Sequence, residues 1–258
     1  MPHEWDAGQY LRFADERTRP AADLVGRIDL DAPRRIVDLG CGPGNSTAVL
    51  RRRWPDAAIT GIDNSADMLA KARRGDSTVD FVAGDIAAWR PEAPCDLVFS
   101  NAALQWVGDH ERLVPRLLDG VAPDGQLAVQ MPRNHDFVTH ALMRQVAAEG
   151  PWRDLLAGAR DPSPVKPPEF YYDLLAPRCD RVVVWETNYI QAMPDIAAII
   201  SWLRGSGLGP FLTRLSTDEQ KVFLDRYTAL LAEAFPKRSD GQVLLPYPRL
   251  FFIASPRR

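Results

Sequence analysis

Short apolar runs alternate with helical stretches between residues 35 and 132. Five of the runs have the length and apolar character of buried strands: RIVDL, AAITGID, VDFVAGD, CDLVFSN and GQLAVQMP. The segments TAVLRRRW, ADMLAKARR and ERLVPRLL, which lie between them, carry apolar residues at helical spacing. Strands that alternate with helices are joined by right-handed crossovers. The pattern therefore predicts an α/β fold of the Rossmann-like type, in which helices cover both faces of a mostly parallel sheet.

The alternation stops after the fifth run, where two helical insertions are predicted. The first, at about 134–168, contains a helix over His140–Glu149 and then a proline-rich stretch. The second, at about 194–240, has the pattern of two helices. No stretch between these segments has the composition of a linker. We therefore expect a single domain, 1–258, that carries a helical cap.

Two further strands are predicted outside the insertions. The first of these strands is RVVVWETNYI, which follows a short helix in EFYYDLLAP. The second strand covers Arg249–Ser255 near the end of the chain. Residues of the sheet therefore flank the two insertions along the sequence.

Composition and charge narrow the classes of function. The 31 basic and 34 acidic residues nearly balance, which disfavours a nucleic-acid partner. The amino terminus is polar, and no apolar stretch approaches the roughly 20 residues of a membrane span. The three cysteines lie far apart without a C-x-x-C pair, which suits a reducing compartment and offers no metal framework. We expect a soluble cytoplasmic protein without a nucleic-acid, membrane or metal partner.

A glycine-rich turn follows the first predicted strand. Gly40, Gly42 and Gly44 let the backbone pass close beneath a ligand, at the start of the first helix. A dinucleotide fingerprint requires a glycine where Asn45 stands. Asp38 would repel a pyrophosphate, whereas it could accept a hydrogen bond from an ammonium group. The turn therefore favours an amino-acid-bearing nucleoside such as S-adenosylmethionine, with a tight turn that binds nothing as the alternative.

Two more acidic residues end the second and third predicted strands. Asp63 stands where a carboxylate can accept bonds from both ribose hydroxyls of a nucleoside. Asp85 could accept a bond from an adenine amine while Ile86 packs on the ring. Asn64 and Met68 lie near the same edge. Because ligands of open α/β sheets bind at the carboxyl ends of the strands, the three acids together predict a nucleoside site.

These residues resemble those of a known superfamily. The run V-D-L-G-C-G-P-G-N, the acids at Asp63 and Asp85, and Asn101 at the end of the fourth strand are similar to the class I S-adenosylmethionine-dependent methyltransferases. Further elements resemble, more narrowly, a family of bacterial carboxyl methyltransferases that act on trans-aconitate. These elements are W-D-x-x-x-Y-L-x-F-x-x-E-R-x-R-P from Trp5, N-A-x-L-Q-W from Asn101, A-V-Q-M-P from Ala128, Y-Y-D from Tyr171 and P-R-L-F from Pro248.

The resemblance implies further expectations. The sheet should have seven strands with the last one antiparallel, and the cofactor should be S-adenosylmethionine. Tyr10, Arg17 and Arg19 should belong to an amino-terminal lid, 1–20, that folds over the site. Pro20 predicts the start of a helix beside these arginines.

A polycarboxylate acceptor needs cationic partners, because removing its charges from water is costly unless each is paired. Arginine forks suit carboxylates, and Arg17, Arg19 and Arg249 are the candidates. Either arginine of the amino-terminal segment could bind the carboxylate of the cofactor instead. The remaining candidates for the acceptor site are polar or aromatic side chains: Gln105, Trp106, His110, Tyr171, Tyr172 and Tyr189.

A carboxylate acceptor also explains why no acid–base pair stands out. A carboxyl group with a pKa near ~4 is already ionised at neutral pH, so its methylation needs no general base. We therefore expect no catalytic acid or base, and an enzyme that works by positioning its ligands. The leading hypothesis is an O-methyltransferase that esterifies trans-aconitate or a close polycarboxylate, as a monomer or else a dimer. The alternatives are a methyltransferase with a nitrogen, carbon or phenol acceptor, a nicotinamide oxidoreductase, and a cofactor-binding module without activity.

Overall fold

A computed structural model describes residues 14–159, 165–204 and 207–258, with side chains from residue 18 onward. Its described residues form two compact units. The first contains residues 14–132, 165–187 and 249–258. The second contains residues 133–159, 188–204 and 207–248.

Seven strands form one sheet in the order β3-β2-β1-β4-β5-β7-β6. Adjacent strands from β3 to β5 are parallel, and β7 is antiparallel to β5. This arrangement confirms the expected seven-stranded sheet with an antiparallel last strand. The strands are β1 (Arg35–Leu39), β2 (Ala58–Asp63), β3 (Asp80–Ala83), β4 (Cys95–Asn101), β5 (Val121–Pro132), β6 (Cys179–Met193) and β7 (Val243–Pro256).

The described helices follow the predicted alternation. Those of the first unit are α1 (Ala14–Gly26), α2 (Asn45–Arg53), α3 (Ala66–Gly75), α4 (His110–Asp119) and α7 (Pro168–Leu175). Those of the second unit are α5 (Val138–Glu149), α6 (Arg153–Leu156), α8 (Ile196–Arg204), α9 (Gly209–Leu212) and α10 (Thr217–Ala234). Two single turns of 3₁₀ helix cover Leu104–Trp106 and Ala176–Arg178. None of the described helices is both long and apolar enough to cross a membrane.

Helices cover both faces of the sheet in the first unit, as the alternating pattern predicted. On one face, Val37, Val98 and Val129 from three neighbouring strands share a buried cluster with Leu117 of α4 and Leu175 of α7. On the other face, α1 packs against α2 and contacts β5. Alternation of side chains along each strand separates the two layers. The carboxyl ends of the strands are thereby held in a fixed arrangement.

The second unit is helical and has its own core. α10 packs against α5 and α8. It begins with a capping box in which Ser216 and Glu219 satisfy each other's backbone N–H groups. The hydroxyl of Tyr227, on the same helix, donates to the carbonyl of Thr139 at 3.0 Å. Most of the two predicted insertions falls in this unit, and its role as a cap stays a prediction.

Two predicted boundaries were wrong. α1 begins at Ala14, so Pro20 lies inside the helix and not at its start. The acidic residues Asp15 and Glu16 explain the earlier start, because carboxylates favour the first turn of a helix. β7 begins at Val243, six residues before the predicted start at Arg249. Its burial alternates from the first residue, which is the pattern of a strand with one face covered.

Candidate functional site

A cavity of about 360 Å³ lies in the first unit, where β1, β2, β3 and β4 end. This volume falls in the range of small-molecule sites, which is roughly 300–1,000 Å³. The structure brings ten of the predicted site residues together at its walls: Gly40, Gly42, Asn45, Asp63, Asn64, Met68, Asp85, Ile86, Asn101 and Trp106. Nine of them were predicted to contact the cofactor, and Trp106 was predicted to contact the acceptor.

The glycine-rich turn is fixed by bonds to the neighbouring strand. The N–H groups of Gly40 and Cys41 donate to the carbonyl of Ile62 at 2.7 and 3.0 Å. Gly40 has a φ of +75°, and a Cβ on it would lie 2.2 Å from the Cβ of Ala103. Only glycine fits this combination of backbone angle and close approach. The floor of the cavity is therefore preformed by the residue types in the turn.

Asp63 joins two loops of the cavity wall. One carboxylate oxygen accepts the N–H of Gly42 at 2.9 Å, and the other accepts the N–H of Ser65 at 2.8 Å. Ser65 also caps α3, where its side chain accepts from the backbone of Met68. Each carboxylate oxygen has a second lone pair. Asp63 can therefore hold both loops and still accept bonds from a ligand in the cavity.

Asp38, near the end of β1, is fully buried and does not itself line the cavity, in contrast to the other described residues predicted to contact the cofactor. One of its oxygens accepts the hydroxyls of Ser46 and Thr47, each at 2.7 Å. Burial raises the pKa of Asp38 to about 6, although these two hydroxyl bonds act in the opposite direction. Its other oxygen is buried and has no hydrogen bond within the described part of the chain. This oxygen is suited to accept a bond from a cationic donor.

Asn101 provides a second buried acceptor on the same face of the sheet. Asp38 pairs with Phe99 across β1 and β4, and Asn101 follows Phe99 by two residues. Side chains two residues apart on a strand share a face. The side-chain oxygen of Asn101 also makes no hydrogen bond to any residue that the structure describes. Two buried oxygens without donors therefore lie on the side of the sheet that carries the glycine turn.

The charge of the cavity matches a cationic ligand. Asp63 and Asp85 are part of the lining, and Asp85 is exposed and accepts the N–H of Ala87 at 2.8 Å. Among the described lining residues there is no lysine, arginine or histidine. A pyrophosphate would meet carboxylates without a balancing cation, which is unfavourable at short range. The cavity is therefore unsuited to a dinucleotide and suited to a nucleoside that carries positive charge.

The loop after β4 forms the remaining wall of the cavity. Both Ala102 and Asp109 have positive φ angles, 55° and 53°, which residues with a Cβ rarely adopt. Between them lies the 3₁₀ turn Leu104–Trp106, and the half-exposed Trp106 lines the cavity. Gln105 does not line it, and its amide donates to the carbonyl of Ala102 at 2.6 Å. Strained backbone at both ends of a loop is a common feature of functional sites.

His110 and Tyr171 lie in the core and not at the cavity, in contrast to the prediction. Nδ1 of His110 lies 2.7 Å from the Tyr171 hydroxyl, and Nε2 lies 3.0 Å from the carbonyl of Leu104. Burial lowers the pKa of His110, so the ring is neutral at pH 7. Helical spacing was the signal for this placement, because His110, Leu113 and Leu117 share one apolar stripe of α4. We leave His110 and Tyr171 out of the proposed acceptor contacts.

The other residues predicted to contact the acceptor whose side chains the structure describes are not part of the cavity lining. Arg19 is exposed on α1, and Tyr172 is exposed on α7. Arg249 is buried inside β7, opposite Pro132 of β5, and does not begin a strand. Tyr189 is buried in the second unit. Tyr10 and the side chain of Arg17 lie outside the described residues.

Several lining residues were missed by the sequence interpretation. Ser46 follows the glycine turn, and Ser65 occupies the N-cap position of α3, so both could have been found from helix-start patterns. Val107 and Gly108 belong to the loop after β4, whose path the strand pattern does not define. Thr18 lines the cavity from α1. No group of three potential metal ligands occurs among the described residues.

Comparison with known proteins identifies relatives of the whole chain. Residues 36–125 match a family described as a methyltransferase domain. The chain is 51% identical over 250 residues to the trans-aconitate 2-methyltransferase of Azoarcus sp. (strain BH72), an alignment that covers 97% of this chain and 98% of that protein.

Solved structures share the fold at low sequence identity. The YcgJ protein from Bacillus subtilis aligns over 93% of this chain and 99% of its own, with a TM-score of 0.60 and 14% identity. Coclaurine N-methyltransferase, solved with N-methylheliamine and S-adenosylhomocysteine, aligns over 93% of this chain and 72% of its own, with a TM-score of 0.53 and 16% identity. These two similarities show the fold alone.

Proposed function

Because the chain belongs to the trans-aconitate 2-methyltransferase family, we propose that it transfers a methyl group from S-adenosylmethionine to a carboxylate oxygen of trans-aconitate or a close di- or tricarboxylate. The products are a monomethyl ester and S-adenosylhomocysteine. The observation that carries the proposal for the cofactor is the acidic cavity at the glycine turn, with two buried oxygens that lack donors. The proposal of trans-aconitate as the acceptor rests on the sequence similarity to the relatives and not on the cavity.

The cavity residues fit the cofactor that the family uses. Bound there, S-adenosylmethionine supplies a methyl group activated by a positively charged sulfur. Asp38 and Asn101 would accept bonds from its ammonium group, which matches the donors that their buried oxygens lack. Asp63 would accept bonds from the ribose hydroxyls, and Asp85 a bond from the adenine amine. Ile86 and Met68 would pack against the nucleoside.

The acceptor side needs positioning and charge neutralisation, not a base. The carboxylate is ionised at neutral pH, so the chain has only to hold its oxygen in line with the methyl carbon and to exclude water. S-adenosylmethionine held in the cavity would supply the methyl group, with a neutral thioether as the leaving group. We assign Trp106 to the acceptor side of the cavity. Arg17, Arg19 and Arg249 remain the proposed partners of the acceptor carboxylates, which would lie beyond the described lining of the cavity.

Methyl transfer to the acid is the direct test. The purified protein is incubated with methyl-labelled S-adenosylmethionine and trans-aconitate, and the product is treated with mild base. We expect a labelled monomethyl ester that base hydrolyses. Related acids, namely citrate, cis-aconitate and tricarballylate, define the range of acceptors. Absence of a labelled ester with every polycarboxylate would reject the proposal.

The partner in the reaction is a small molecule. The oligomeric state of the protein and its location in the cell are proposals. We infer a monomer that works in the cytosol on the free acid, without nucleic acid or membrane. The near balance of basic and acidic residues supports the absence of a nucleic-acid partner. Light scattering coupled to gel filtration should give a mass near 28.8 kDa. A mass near twice that value would establish the dimer.

A further inference from the structure

A chain of three hydrogen bonds, two of them buried, ends at the 3₁₀ turn that carries Trp106 of the cavity wall. The N–H of Lys166 donates to the hydroxyl oxygen of Tyr171 at 3.0 Å. That hydroxyl lies 2.7 Å from Nδ1 of His110, and Nε2 of His110 lies 3.0 Å from the carbonyl of Leu104. A carbonyl can only accept, so Nε2 carries the proton and Nδ1 accepts from the Tyr171 hydroxyl. We name this chain, from Lys166 to Leu104, the relay.

The relay reaches the loop at the point that sets the position of Trp106. Leu104 opens the 3₁₀ turn Leu104–Trp106, and its carbonyl also accepts the N–H of Val107 at 3.0 Å. Trp106 and Val107 both line the cavity. The Leu104 carbonyl that His110 holds is therefore part of the turn whose side chains form the wall.

The backbone of the loop is strained at both ends. Its residues Ala102 and Asp109 keep positive φ angles of 55° and 53°, which cost free energy unless the surroundings impose them. Asp109 directly precedes His110, and its side chain makes no bond that caps α4. His110 is buried with Leu113 and Leu117 on the inner stripe of α4. The relay thus connects a strained loop to the rigid part of the first unit.

Tyr171, the middle member of the relay, is held rigidly. Tyr171 is fully buried on α7, its ring stacks on Phe252 of β7 at 5.1 Å, and it meets the edge of Phe170 at 5.2 Å. Tightly packed rings keep one rotamer, so the hydroxyl has a fixed position. A donor held in this way can define the orientation of the imidazole, and through it the position of Leu104.

We propose that His110 and Tyr171 are positioning residues that hold the Leu104–Trp106 turn in the shape that receives the acceptor. They touch neither ligand and act on Trp106 through the carbonyl of Leu104. This inference depends on the proposed function for its assignment of Trp106 to the acceptor side. Loss of the relay should reduce the use of the acceptor and leave cofactor affinity nearly unchanged, because the glycine turn and Asp63 are fixed by separate bonds.

The first test is Tyr171→Phe, which keeps the ring and removes the hydroxyl. We expect kcat/KM for trans-aconitate to fall about tenfold, as for the loss of one buried hydrogen bond. The dissociation constant of S-adenosylhomocysteine should change less than about twofold. Amide hydrogen exchange of a peptide covering residues 103–109 should become faster, because the turn has lost its anchor.

Two variants of His110 separate positioning from packing. The amide nitrogen of glutamine in His110→Gln can take the place of Nε2 and donate to Leu104, whereas the shorter side chain in His110→Asn cannot reach that carbonyl. Both variants lose the bulk of the ring. We expect His110→Gln to retain several times more acceptor efficiency than His110→Asn. Equal losses in the two variants would overturn the proposal.

Tyr227→Phe is the matched control. Tyr227 is also fully buried, and it also donates one hydroxyl bond, to Thr139 in the second unit. It should lower the melting temperature about as much as Tyr171→Phe and leave kcat/KM and exchange at residues 103–109 unchanged. The proposal fails if the two variants lose acceptor efficiency equally, or if Tyr171→Phe does not change that exchange. If the wild type does not methylate trans-aconitate, the proposed function fails, and the exchange measurement still decides whether the relay holds the turn.

Discussion

Replacing Asp38 by asparagine should remove a pH-dependent cost of folding. Burial raises the pKa of this carboxyl from 3.8 to about 6 in the folded chain. Each unit corresponds to 1.36 kcal/mol, so ionising Asp38 in the folded protein costs about 3 kcal/mol at pH 8. Below pH ~4 the group is protonated in both states and the cost is absent. The stability that Asp38 contributes is therefore fully present below its unfolded pKa of 3.8 and is lost as the pH rises from there through about 6.

The assay compares two unfolding curves at each pH. Urea unfolding of the ligand-free wild type and of Asp38→Asn, between pH 4 and pH 8, gives the difference in the free energy of unfolding. Other titrating groups cancel in that difference. We expect the variant to gain about 2 to 3 kcal/mol relative to the wild type over this range, with a midpoint at pH ~5 and a plateau above the folded-state pKa of about 6. Asparagine can still accept the hydroxyls of Ser46 and Thr47, so this effect is not due to the loss of those bonds.

Thr47→Val provides an internal check on the same group. The hydroxyl bond from Thr47 favours the ionised form of Asp38, so its removal should raise the pKa of Asp38 above 6 and move the midpoint of the stability difference to higher pH. A difference between wild type and Asp38→Asn that does not change with pH would refute the assignment of a raised pKa to Asp38. A midpoint that stays in place in Thr47→Val would refute the role given to the hydroxyl.

Three further predictions concern the cavity. Affinity for S-adenosylhomocysteine should weaken as the pH falls below about 6, because a protonated Asp38 no longer attracts an ammonium group. Calorimetry at pH 5 and 7.5 checks this prediction, and an affinity independent of pH would contradict it. Asp63→Ala should weaken that affinity about 10- to 100-fold, the range for a charge-assisted bond, whereas a change below twofold would remove Asp63 from the site. Gly40→Ala should lower the melting temperature much more than Gly42→Ala, because a Cβ on Gly40 lies 2.2 Å from Ala103 and one on Gly42 meets nothing within 4 Å. Equal melting temperatures would show that backbone angle alone matters at these glycines.

The sheet and the cofactor side of the cavity could be predicted because their determinants are local. Apolar runs bounded by turn residues define the strands, and glycine at positions 40 and 42 supplies the positive φ angles that the turn requires. Parallel strands then bring their carboxyl ends together by topology alone. Asp63 and Asp85 could be placed at one edge from their positions after β2 and β3.

The residues on the acceptor side were harder to predict, because their role depends on whether each side chain is directed toward the core or toward the cavity. His110 and Tyr171 have the chemistry of ligand-binding residues, yet each lies on the inner face of its helix. A tyrosine four residues before Leu175 on α7 has the spacing of a core residue, and this pattern could have indicated burial. The position of Arg249 inside β7 depends on the length of that strand, which the sequence underestimated by six residues.

The double role of Asp63 limits which residues of the site can be substituted during evolution. The same carboxylate fastens the glycine turn to the loop before α3 and faces the cavity. Replacement of Asp63 during evolution must therefore loosen the glycine turn and lower the affinity for the ligand at the same time. A substitution at this position cannot change ligand affinity without also changing the stability of the loops. Variation in ligand preference should instead accumulate in the wall around Trp106, which is anchored independently of that carboxylate.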